Sequence, residues 1–383
     1  MQVLLLSSNT GQGHNACAAA LREEFLLRGI NCDIVDALTF LSPAVSRFVC
    51  GGHVQMYRHF PAVFRRGYHY AEQHPALFES NSSVSRAIAT GADRLYDTIC
   101  HGGYDAVLCT HITAAIMLTS VRRLHPTASL PCAFLATDYT CSPGVDQTDL
   151  DLYYIPSPEL TEAFHRGNIA HRQIIPSGIP VRQMFSIHLQ PQQAKRLCGI
   201  QPQHRHLVLM CGSMGCGPMR RLTQRLCRAL ATDEELSVLC GTNDTLRRDL
   251  TVKYRVHPRV HIHGYERNPS VWLDSADVYL TKPGGISTTE AAVKHTPMVL
   301  VDAVSGCEAY NLRFFTAHGA AVSAKSVTDI AAEAMRLLRD APQRQICAAA
   351  AASAVPAHAA QTICDTLLAH VCSGGASPID KKG

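Results

Sequence analysis

The stretch SSNTGQGHNACAAAL, residues 7–21, directly follows the apolar run VLLL at 3–6 and joins a strand pattern to an alanine-rich helix pattern. Residues 206–218, HLVLMCGSMGCGP, repeat the plan with an apolar strand, a glycine loop and a helix beginning near Met219. Strands that alternate with helices form parallel sheets. Two separate starts of this kind predict an α/β chain with two Rossmann-like domains.

Other apolar runs predict four more strands in each half of the chain. In the first half they are residues 32–37, 105–110, 131–138 and 151–156. In the second half they are residues 236–241, 259–264, 277–282 and 297–302. A chain of 383 residues also exceeds the size at which one hydrophobic core keeps growing, which again favours two domains.

These patterns predict the following order of domains. The first domain covers residues 1–180, a polar linker covers 181–204, and the second domain covers 205–342. Helices within 343–371, interrupted by Pro356, are expected to pack back across the junction. Residues 372–383 have the composition of a disordered tail.

The composition and the cysteine pattern bear on the partner, the cellular compartment and metal binding. With 35 Lys and Arg against 31 Asp and Glu, the net charge does not indicate nucleic acid as a partner. The 16 cysteines contain no CxxC pair, and the first apolar run is too short for a signal peptide, so we expect a reducing, cytoplasmic compartment. We predict no metal site. Cys211 and Cys216 lie in a glycine loop, and no nearby carboxylate or cysteine completes a site with three histidines that are expected to be solvated, His257, His261 and His263.

The segment TKPGGISTTEA, residues 281–291, has the pattern of a strand, a tight turn and a helix start. Backbone N–H groups and hydroxyls at such a helix start can bind phosphates, and the carboxylate of Glu290 can accept hydrogen bonds from two ribose hydroxyls. The pattern therefore fits a nucleoside diphosphate. It fits equally a plain turn followed by a helix cap.

A nicotinamide dinucleotide is disfavoured. The first loop, GQGHNA, lacks the third glycine of the dinucleotide fingerprint. Asp33 and Asp36 lie slightly too close to that loop to serve as its ribose carboxylate.

Six motifs resemble those of glycosyltransferase family 28, of the monogalactosyldiacylglycerol synthase and processive diacylglycerol β-glucosyltransferase type. In chain order they are TGQGHNACAA at 10–19, TDY at 137–139, SGIPV at 177–181, VLMCGSMGCGP at 208–218, TKPGGISTTEA at 281–291 and GCEAYN at 306–311. The resemblance covers residues 1 to about 340. It implies a GT-B fold, in which two Rossmann-like domains face each other across a cleft, with nucleotide sugar on the C-terminal domain and acceptor on the N-terminal one.

The resemblance also implies roles for single residues. Glu290 would bind the ribose, the backbone beside Tyr265 would border the uracil, and Glu308 and Asn311 would meet sugar hydroxyls. Residues around the diphosphate would be Gly212, Ser213, Met214, Gly284, Gly285, Ser287 and Thr288. Two departures from the family pattern, Cys307 for glutamine and Gln12 for glycine, put the sugar in doubt more than the reaction.

His14 is the expected catalytic base, behind the loop glycines Gly11 and Gly13. At a helix start the positive end of the helix disfavours imidazolium, so the ring stays neutral and can take a proton from an acceptor hydroxyl. His14 could instead cap the helix or donate to a phosphate. Asp138, at the end of another strand, is the second candidate for base or orienting carboxylate, and a turn or cap role is its alternative.

Direct attack on a UDP-α-sugar would invert the anomeric centre and give a β-glycoside. Helix N-termini and Lys282 would offset the charge on the leaving diphosphate, so we expect no metal and no cofactor. A solvated Lys282 is the alternative. The only DxD triplet, residues 149–151, precedes a strand rather than following one.

The acceptor is expected to come from a membrane. Residues 43–70 contain no acidic residue, six aromatic residues and four arginines, which are Arg47, Arg58, Arg65 and Arg66. Aromatic side chains settle at a membrane interface while arginines attract anionic headgroups, so we expect peripheral binding to the inner face of the cell membrane. An ordinary pair of N-domain helices, with Phe48, Tyr57, Phe60 and Phe64 in the core, would give the same composition.

The predicted activity is thus transfer of glucose or galactose from a UDP-sugar to diacylglycerol. The alternatives are a UDP-N-acetylglucosamine transferase with a polyprenyl-linked acceptor, a nonhydrolysing UDP-sugar epimerase, and an inactive nucleotide-sugar sensor or membrane scaffold. The sequence does not distinguish glucose from galactose, and it does not reveal processivity, lipid chain preference or oligomeric state.

Overall fold

The computed structural model of the protein describes residues 1–9, 12–41, 61–126, 130–301 and 306–374. The chain divides into two compact units. The first takes in Met1–Gln183, Gly306 with Cys307, and the chain from His358 onward. The second takes in the rest of 184–357.

The first unit is a parallel sheet with helices packed on it. Its strands are β1 Gln2–Ser7, β2 Asn31–Asp36, β3 Ala106–Cys109, β4 Cys132–Leu135, β5 Leu152–Tyr154 and β6 Ile174–Ile175, in the order β2-β1-β3-β4-β5-β6. Its helices are α1 Gln12–Leu27, α2 Pro61–Gln73, α3 Ser83–Ala89, α4 Ala92–Gly102, α5 Ile112–Leu124, α6 Thr161–Arg166 and, from the end of the chain, α15 Ala359–Cys372. Leu4, Leu6, Met117 and Phe134 are among the buried side chains of its core.

The second unit is a second parallel sheet. Its strands are β7 Arg205–Leu209, β8 Glu234–Leu239, β9 Val260–His263, β10 Val278–Thr281, β11 Met298–Leu300 and β12 Ala321–Ser323, in the order β12-β11-β10-β7-β8-β9. Its helices are α7 Pro191–Leu197, α8 Met219–Ala229, α9 Asp244–Tyr254, α10 Pro269–Ser275, α11 Gly285–Val293, α12 Cys307–Ala317, α13 Val327–Arg339 and α14 Ala341–Ala354. Leu207, Leu222, Val238 and Leu280 are buried in its core.

All ten strands predicted from apolar runs are present, and the helix predicted to begin near Met219 begins there. The edge strands β6 and β12 were not predicted. They hold two and three residues, too few for a period of two to be read from the sequence.

The stretch 181–204, predicted as a linker, contains a helix that packs on the second unit. Only residues up to Gln183 belong to the first unit, and the rest includes helix α7. Lys195 on α7 is buried and forms an ion pair of 2.7 Å with Asp277. These residues therefore belong to the packed second unit. The polar composition of the stretch gave no indication that its helix packs on that unit.

The C-terminal helices divide at Pro356, as predicted. Helix α14 belongs to the second unit and α15 to the first. In the first unit α15 packs on α1, where the Arg28 guanidinium lies 2.5 Å from the Asp365 carboxylate, and the Tyr154 hydroxyl donates to the Ile363 carbonyl over 3.2 Å. Of the predicted tail, residues 375–383 lie outside the described residues.

Residues Ala341–Cys372 form the one described helical stretch that is long and apolar enough, by length and composition, to cross a membrane. The break at 355–358 divides this stretch into α14 and α15, of 14 residues each. A helix of that length rises about 21 Å, less than the ~30 Å of a bilayer core.

Candidate active site

Both sheets have a point at which the strand order reverses. In the first sheet it lies between β1 and β3, and in the second between β7 and β10. In open parallel sheets, ligands bind outside the carboxyl ends of the strands at such a point. The chain leaving β1 carries His14, and the chain leaving β10 carries the Pro283–Gly284–Gly285 turn. The predicted base and the predicted phosphate loop therefore each lie at the reversal point of their own sheet.

His14 is the third residue of α1 and is held by backbone from a neighbouring strand end. Its Nδ1 lies 2.6 Å from the carbonyl oxygen of Thr110, which follows β3, and 3.1 Å from the hydroxyl of Thr137, which follows β4. A carbonyl only accepts, so Nδ1 carries the proton and donates to Thr110. The Nε2 atom then carries a lone pair, which is the form a general base needs.

The surroundings of His14 keep its ring neutral. Burial lowers the pKa of His14 below its ordinary value, while the charge of Asp138 and the hydrogen bond to Thr110 act in the opposite direction. The helix N-terminus also disfavours the charged ring. Asp138 is half-buried after β4 and close enough to act on His14 by charge. The two predicted catalytic residues therefore lie close enough to interact by charge, and the role of Asp138 as base or orienting carboxylate stays a prediction.

Of the loop before His14, Gly13 lies in the first turn of α1 together with Gln12. Gly11 lies outside the described residues. The carboxylates considered for a dinucleotide have structural partners: Asp36 accepts from the backbone N–H of Leu38, and Asp33 accepts from the hydroxyl of Tyr104.

The glycine loop after β7 is braced by the loop after β8. A Cβ on Gly215 would lie 2.1 Å from the carbonyl oxygen of Cys240, and a Cβ on Gly241 would lie 2.1 Å from that of Ser213. Both glycines also have a positive φ. The side-chain amide of Asn243 donates to the Gly215 carbonyl over 3.0 Å. This close packing fixes the turn that contains the half-buried residues Gly212, Ser213 and Met214.

The turn after β10 leads into α11 as the pattern predicts. Gly284 is the N-cap, and its carbonyl accepts the first helical hydrogen bond from the N–H of Thr288. The amides of the three residues between them, Gly285, Ile286 and Ser287, have no carbonyl one turn back within the helix to bind. Such a helix start is suited to an anion.

Thr288 and Glu290 are both buried in α11. The Thr288 hydroxyl donates back to the Gly284 carbonyl over 2.9 Å, so it stabilises the helix start. Ser287 is more exposed and is the hydroxyl of this segment better placed for a phosphate. Glu290 lies on the second turn of α11. Burial raises the pKa of Tyr279, and the charge of Glu290 adds to that effect.

Lys282 and Glu308 are buried together, with the Lys282 Nζ 3.8 Å from the Glu308 carboxylate. Lys282 is therefore not the solvated side chain that was its alternative. Asn311, on the same helix as Glu308, is completely buried and donates from its amide to the carbonyl of Pro283 over 2.9 Å. Asn311 therefore supports the turn in front of α11, and its contact with a sugar hydroxyl stays a prediction.

Two further predicted positions lie on the surface or at a helix start. Tyr265 follows the edge strand β9 and is 61% exposed. Cys307 is the first residue of α12 and follows Gly306, which has a φ of 92°.

Much of the predicted membrane segment lies outside the described residues. That holds for Arg47 and Arg58, for Phe48, Tyr57 and Phe60, and for the side chains of Phe64 and Arg65. Helix α2 contains Arg66, which is exposed. Val63 and Tyr70 are 55% and 53% exposed. Their spacing from Arg66 places all three on one face of α2.

The expectation of solvated histidines in the second unit is wrong for two of the three. Glu235, at the start of β8, accepts from His261 over 2.7 Å and also contacts His204 over 2.9 Å. His263 packs against Trp272, and burial lowers its pKa to about 4. Sequence spacing did not show that Glu235 lies beside His261, because the two belong to neighbouring strands. Among the described residues, no group of three or more His, Cys, Asp or Glu side chains has the geometry of a metal site.

Four residues of this geometry were missed from the sequence: Thr110, His111, Thr137 and Asn243. The TDY motif contains Thr137, but its reach to His14 depends on the strand order. Thr110 ends the predicted strand 105–110, and His111 follows it and contacts the His14 ring. Their position at the end of a strand beside β1 was the available signal.

Comparison with known proteins supports the family resemblance that the six sequence motifs indicate. Residues 14–181 match the family model described as monogalactosyldiacylglycerol (MGDG) synthase. A processive diacylglycerol β-glucosyltransferase from Bacillus pumilus (strain SAFR-032) is 24% identical over 96% of this chain and 94% of its own length. A protein of the same name from Bacillus thuringiensis (strain Al Hakam) is 24% identical over 88% of this chain and 86% of its own.

Solved structures confirm the predicted GT-B fold. The chain superimposes on MurG from Acinetobacter baumannii with a TM-score of 0.62 at 13% identity, covering 96% of this chain and 99% of MurG. The glycosyltransferase SnogD from Streptomyces nogalater gives 0.60 at 15% identity, with coverage of 96% and 99%. UDP-GlcNAc 2-epimerase from Neisseria meningitidis gives 0.61 at 12% identity, with coverage of 96% and 100%. These likenesses concern the fold, and the sequence matches are more specific: they support the resemblance of the chain to glycosyltransferase family 28, of the monogalactosyldiacylglycerol synthase and processive diacylglycerol β-glucosyltransferase type.

Proposed function

We propose that the protein is an inverting glycosyltransferase that moves a hexose from a UDP-sugar to the hydroxyl of diacylglycerol. The names of its sequence relatives support this acceptor and a β-linked product, as predicted from the motifs. The observation that carries the mechanism is the hydrogen bond from His14 Nδ1 to the Thr110 carbonyl. It leaves Nε2 of a neutral ring as the base.

In the proposed step, Nε2 of His14 takes the proton of the acceptor hydroxyl. The hydroxyl oxygen then bonds to the anomeric carbon while the bond from that carbon to the diphosphate oxygen breaks, and UDP leaves with the electron pair. Attack opposite the leaving group converts an α-linked donor into a β-glycoside. General base catalysis of this kind typically contributes about 10²–10⁴-fold in rate.

The second unit would hold the leaving group. The amides at the start of α11 and the Ser287 hydroxyl would face the diphosphate, and Glu290 would accept from the ribose. Because Glu308 partly offsets the charge of Lys282, the helix start carries much of the stabilisation of the developing negative charge. We infer that neither a metal nor a cofactor is required.

We further infer peripheral binding to an anionic membrane surface on the cytoplasmic side. Val63, Arg66 and Tyr70 give one face of α2 two exposed apolar or aromatic side chains and a positive charge. Such a face suits the boundary between headgroups and acyl chains. It would bring the base to the layer in which the diacylglycerol hydroxyl lies.

Two alternative activities are not favoured. The epimerase and MurG are similar to this chain at 12% and 13% identity, which concerns the fold alone. The sequence relatives are matched over 86–94% of their own lengths and are named for diacylglycerol as acceptor.

Mass spectrometry of lipid products tests the proposal. The protein is incubated with diacylglycerol vesicles and either UDP-glucose or UDP-galactose, and the anomeric configuration of the product is read by proton NMR. We expect a β-hexosyl diacylglycerol, formed faster from UDP-glucose, and loss of product with His14→Ala.

Parallel reactions separate the alternatives. Conversion of free UDP-N-acetylglucosamine without lipid would indicate an epimerase, and transfer only to a polyprenyl-linked acceptor would indicate the other transferase. UDP binding without any turnover would indicate a sensor. Each of these results would overturn the proposal.

A further inference from the structure

His111 lies beside the proposed base and has no role in the reaction described so far. It follows Thr110 after β3 and is the N-cap of α5. Its ring meets that of His14 with the two planes at 90° and the centroids 4.7 Å apart. Two consecutive residues at one strand end therefore contact the same imidazole, Thr110 through its carbonyl and His111 through its ring.

The cap determines the protonation of His111. Its Nδ1 accepts a hydrogen bond from the backbone N–H of Thr113 over 3.2 Å. An accepting Nδ1 has a lone pair, so the proton of the ring is on Nε2 and the ring is neutral. A neutral neighbour allows His14 to become charged during the reaction without repulsion between two imidazolium ions.

The His14 ring can turn about the bond between its Cβ and Cγ, and two contacts oppose that rotation. The hydrogen bond from Nδ1 to the Thr110 carbonyl holds one edge of the ring, and the ring of His111 packs perpendicular to it. Perpendicular pairs are a favoured arrangement of aromatic rings. The direction of Nε2, and so of the base, depends on both contacts.

We propose that His111 is a positioning residue for the glycosyl transfer, which holds the His14 ring so that Nε2 points at the acceptor hydroxyl. The proposal rests on the proposed function. It assigns the effect to the ring of His111 and not to its cap of α5.

Two substitutions separate the ring from the cap. His111→Asn removes the ring and keeps an acceptor that is among the best N-caps, whereas His111→Phe keeps an aromatic ring and removes the cap. Because a second histidine, His125, is the C-cap at the other end of α5, His125→Asn is a matched control. The measurements are kcat and KM for the donor, the melting temperature, and the side-chain nitrogen shifts of His14, assigned by comparison with His14→Gln.

We expect His111→Asn to lower kcat about 10- to 100-fold, with KM and melting temperature near wild type, since small misplacements of a reacting group have effects of this size. The two nitrogen shifts of His14 should move toward each other as the ring samples both tautomers. His111→Phe should retain more kcat and more of the wild-type shift pattern, despite a lower melting temperature. His125→Asn should leave kcat unchanged.

The opposite order, with Asn active and Phe inactive, would assign His111 to the cap alone and overturn the proposal. Unchanged His14 shifts in the Asn variant would do the same. If the wild type transfers no hexose to diacylglycerol, the proposed function fails, and the nitrogen shifts still decide whether His111 positions His14.

Discussion

The Asn311 side chain donates to the carbonyl of Pro283 over 2.9 Å, so a residue on α12 supports the turn in front of α11. Asn311 is completely buried, and a carbonyl left without its donor in such a place costs about 1–3 kcal/mol. The conformation of the phosphate turn therefore depends on a side chain 28 positions further along the chain.

Asn311→Ala should weaken binding of UDP about 5- to 100-fold, as the turn loses its support. Calorimetry with UDP measures the affinity. Arg313→Ala, on the exposed face of the same helix, is the control and should bind like wild type. Wild-type affinity in a folded Asn311→Ala protein would show that the turn holds its shape without this bond.

Glu290→Gln should lower the affinity for UDP about tenfold or more, because an amide offers one acceptor where the carboxylate offers two to the ribose hydroxyls. The same calorimetric experiment measures it, and Glu333→Gln on α13 controls for the loss of one negative charge. Unaltered affinity would remove Glu290 from the nucleotide site.

His14 should show its lowered pKa in the pH profile of kcat/KM. A base must be unprotonated, so the rate rises with pH through the pKa of His14 and then levels off. Since burial lowers that pKa below 6.5, the rising limb should lie on the acid side of 6.5. In the Asp138→Asn variant, which loses the charge that raises this pKa, the limb should move further toward acid. A limb above pH 6.5 in the wild type would contradict the assignment.

His206 should make the protein sensitive to acid. It is buried between the hydroxyls of Ser237 and Ser275, and burial, with the charge of Lys195 as a second cause, lowers its pKa to about 3. The unfolded chain binds a proton near pH 6.5 and the folded one does not. The stability that His206 contributes is therefore full above pH 6.5 and falls as the pH drops toward 3, by about 2 kcal/mol at pH 5.

Urea unfolding at pH 7.5 and pH 5 measures this effect. His206→Gln keeps polar atoms for both serines and does not titrate. Between the two pH values, its free energy of unfolding should therefore fall by about 2 kcal/mol less than that of wild type. His318→Gln, a partly exposed histidine of the same unit, is the control. If the free energy of unfolding fell equally in wild type and His206→Gln, His206 would bind the same number of protons in the folded and unfolded states. That result would contradict the prediction.

Binding to anionic vesicles should depend on the exposed face of α2. Val63→Asp and Tyr70→Asp should each release the protein from phosphatidylglycerol vesicles in a sedimentation assay, and Arg66→Glu should do so most at low salt. Val252→Asp, at a 69% exposed valine of the second unit, is the matched control. Retained binding by both Asp variants would exclude this face.

The sequence predicted ten of the twelve described strands, their carboxyl ends and both glycine loops, because each of these depends on residues that are close together along the chain. It did not predict the partner of His14. Thr110 is 96 positions away, and its contact follows from β1 lying beside β3 in the sheet. The support of Pro283 by Asn311 and the ion pair of Lys282 with Glu308 could not be predicted either, because the partners are far apart along the chain.

The identity of the sugar was not predictable for a different reason. Glucose and galactose differ in the direction of one hydroxyl, so recognition depends on angles that spacing does not encode. The short edge strands β6 and β12 escaped prediction because pairing with a neighbour, rather than a local pattern, defines them.

The last helix, α15, completes the first unit although 174 residues of chain, 184–357, separate it from Gln183. Its Ile363, Cys364 and Leu367 are fully buried, and it contacts α1 through Arg28 and Asp365. During synthesis on the ribosome, the first unit emerges early but cannot finish packing until residues 359–372 have been translated. All residues of the second unit are therefore translated before the unit that carries His14 can complete its packing.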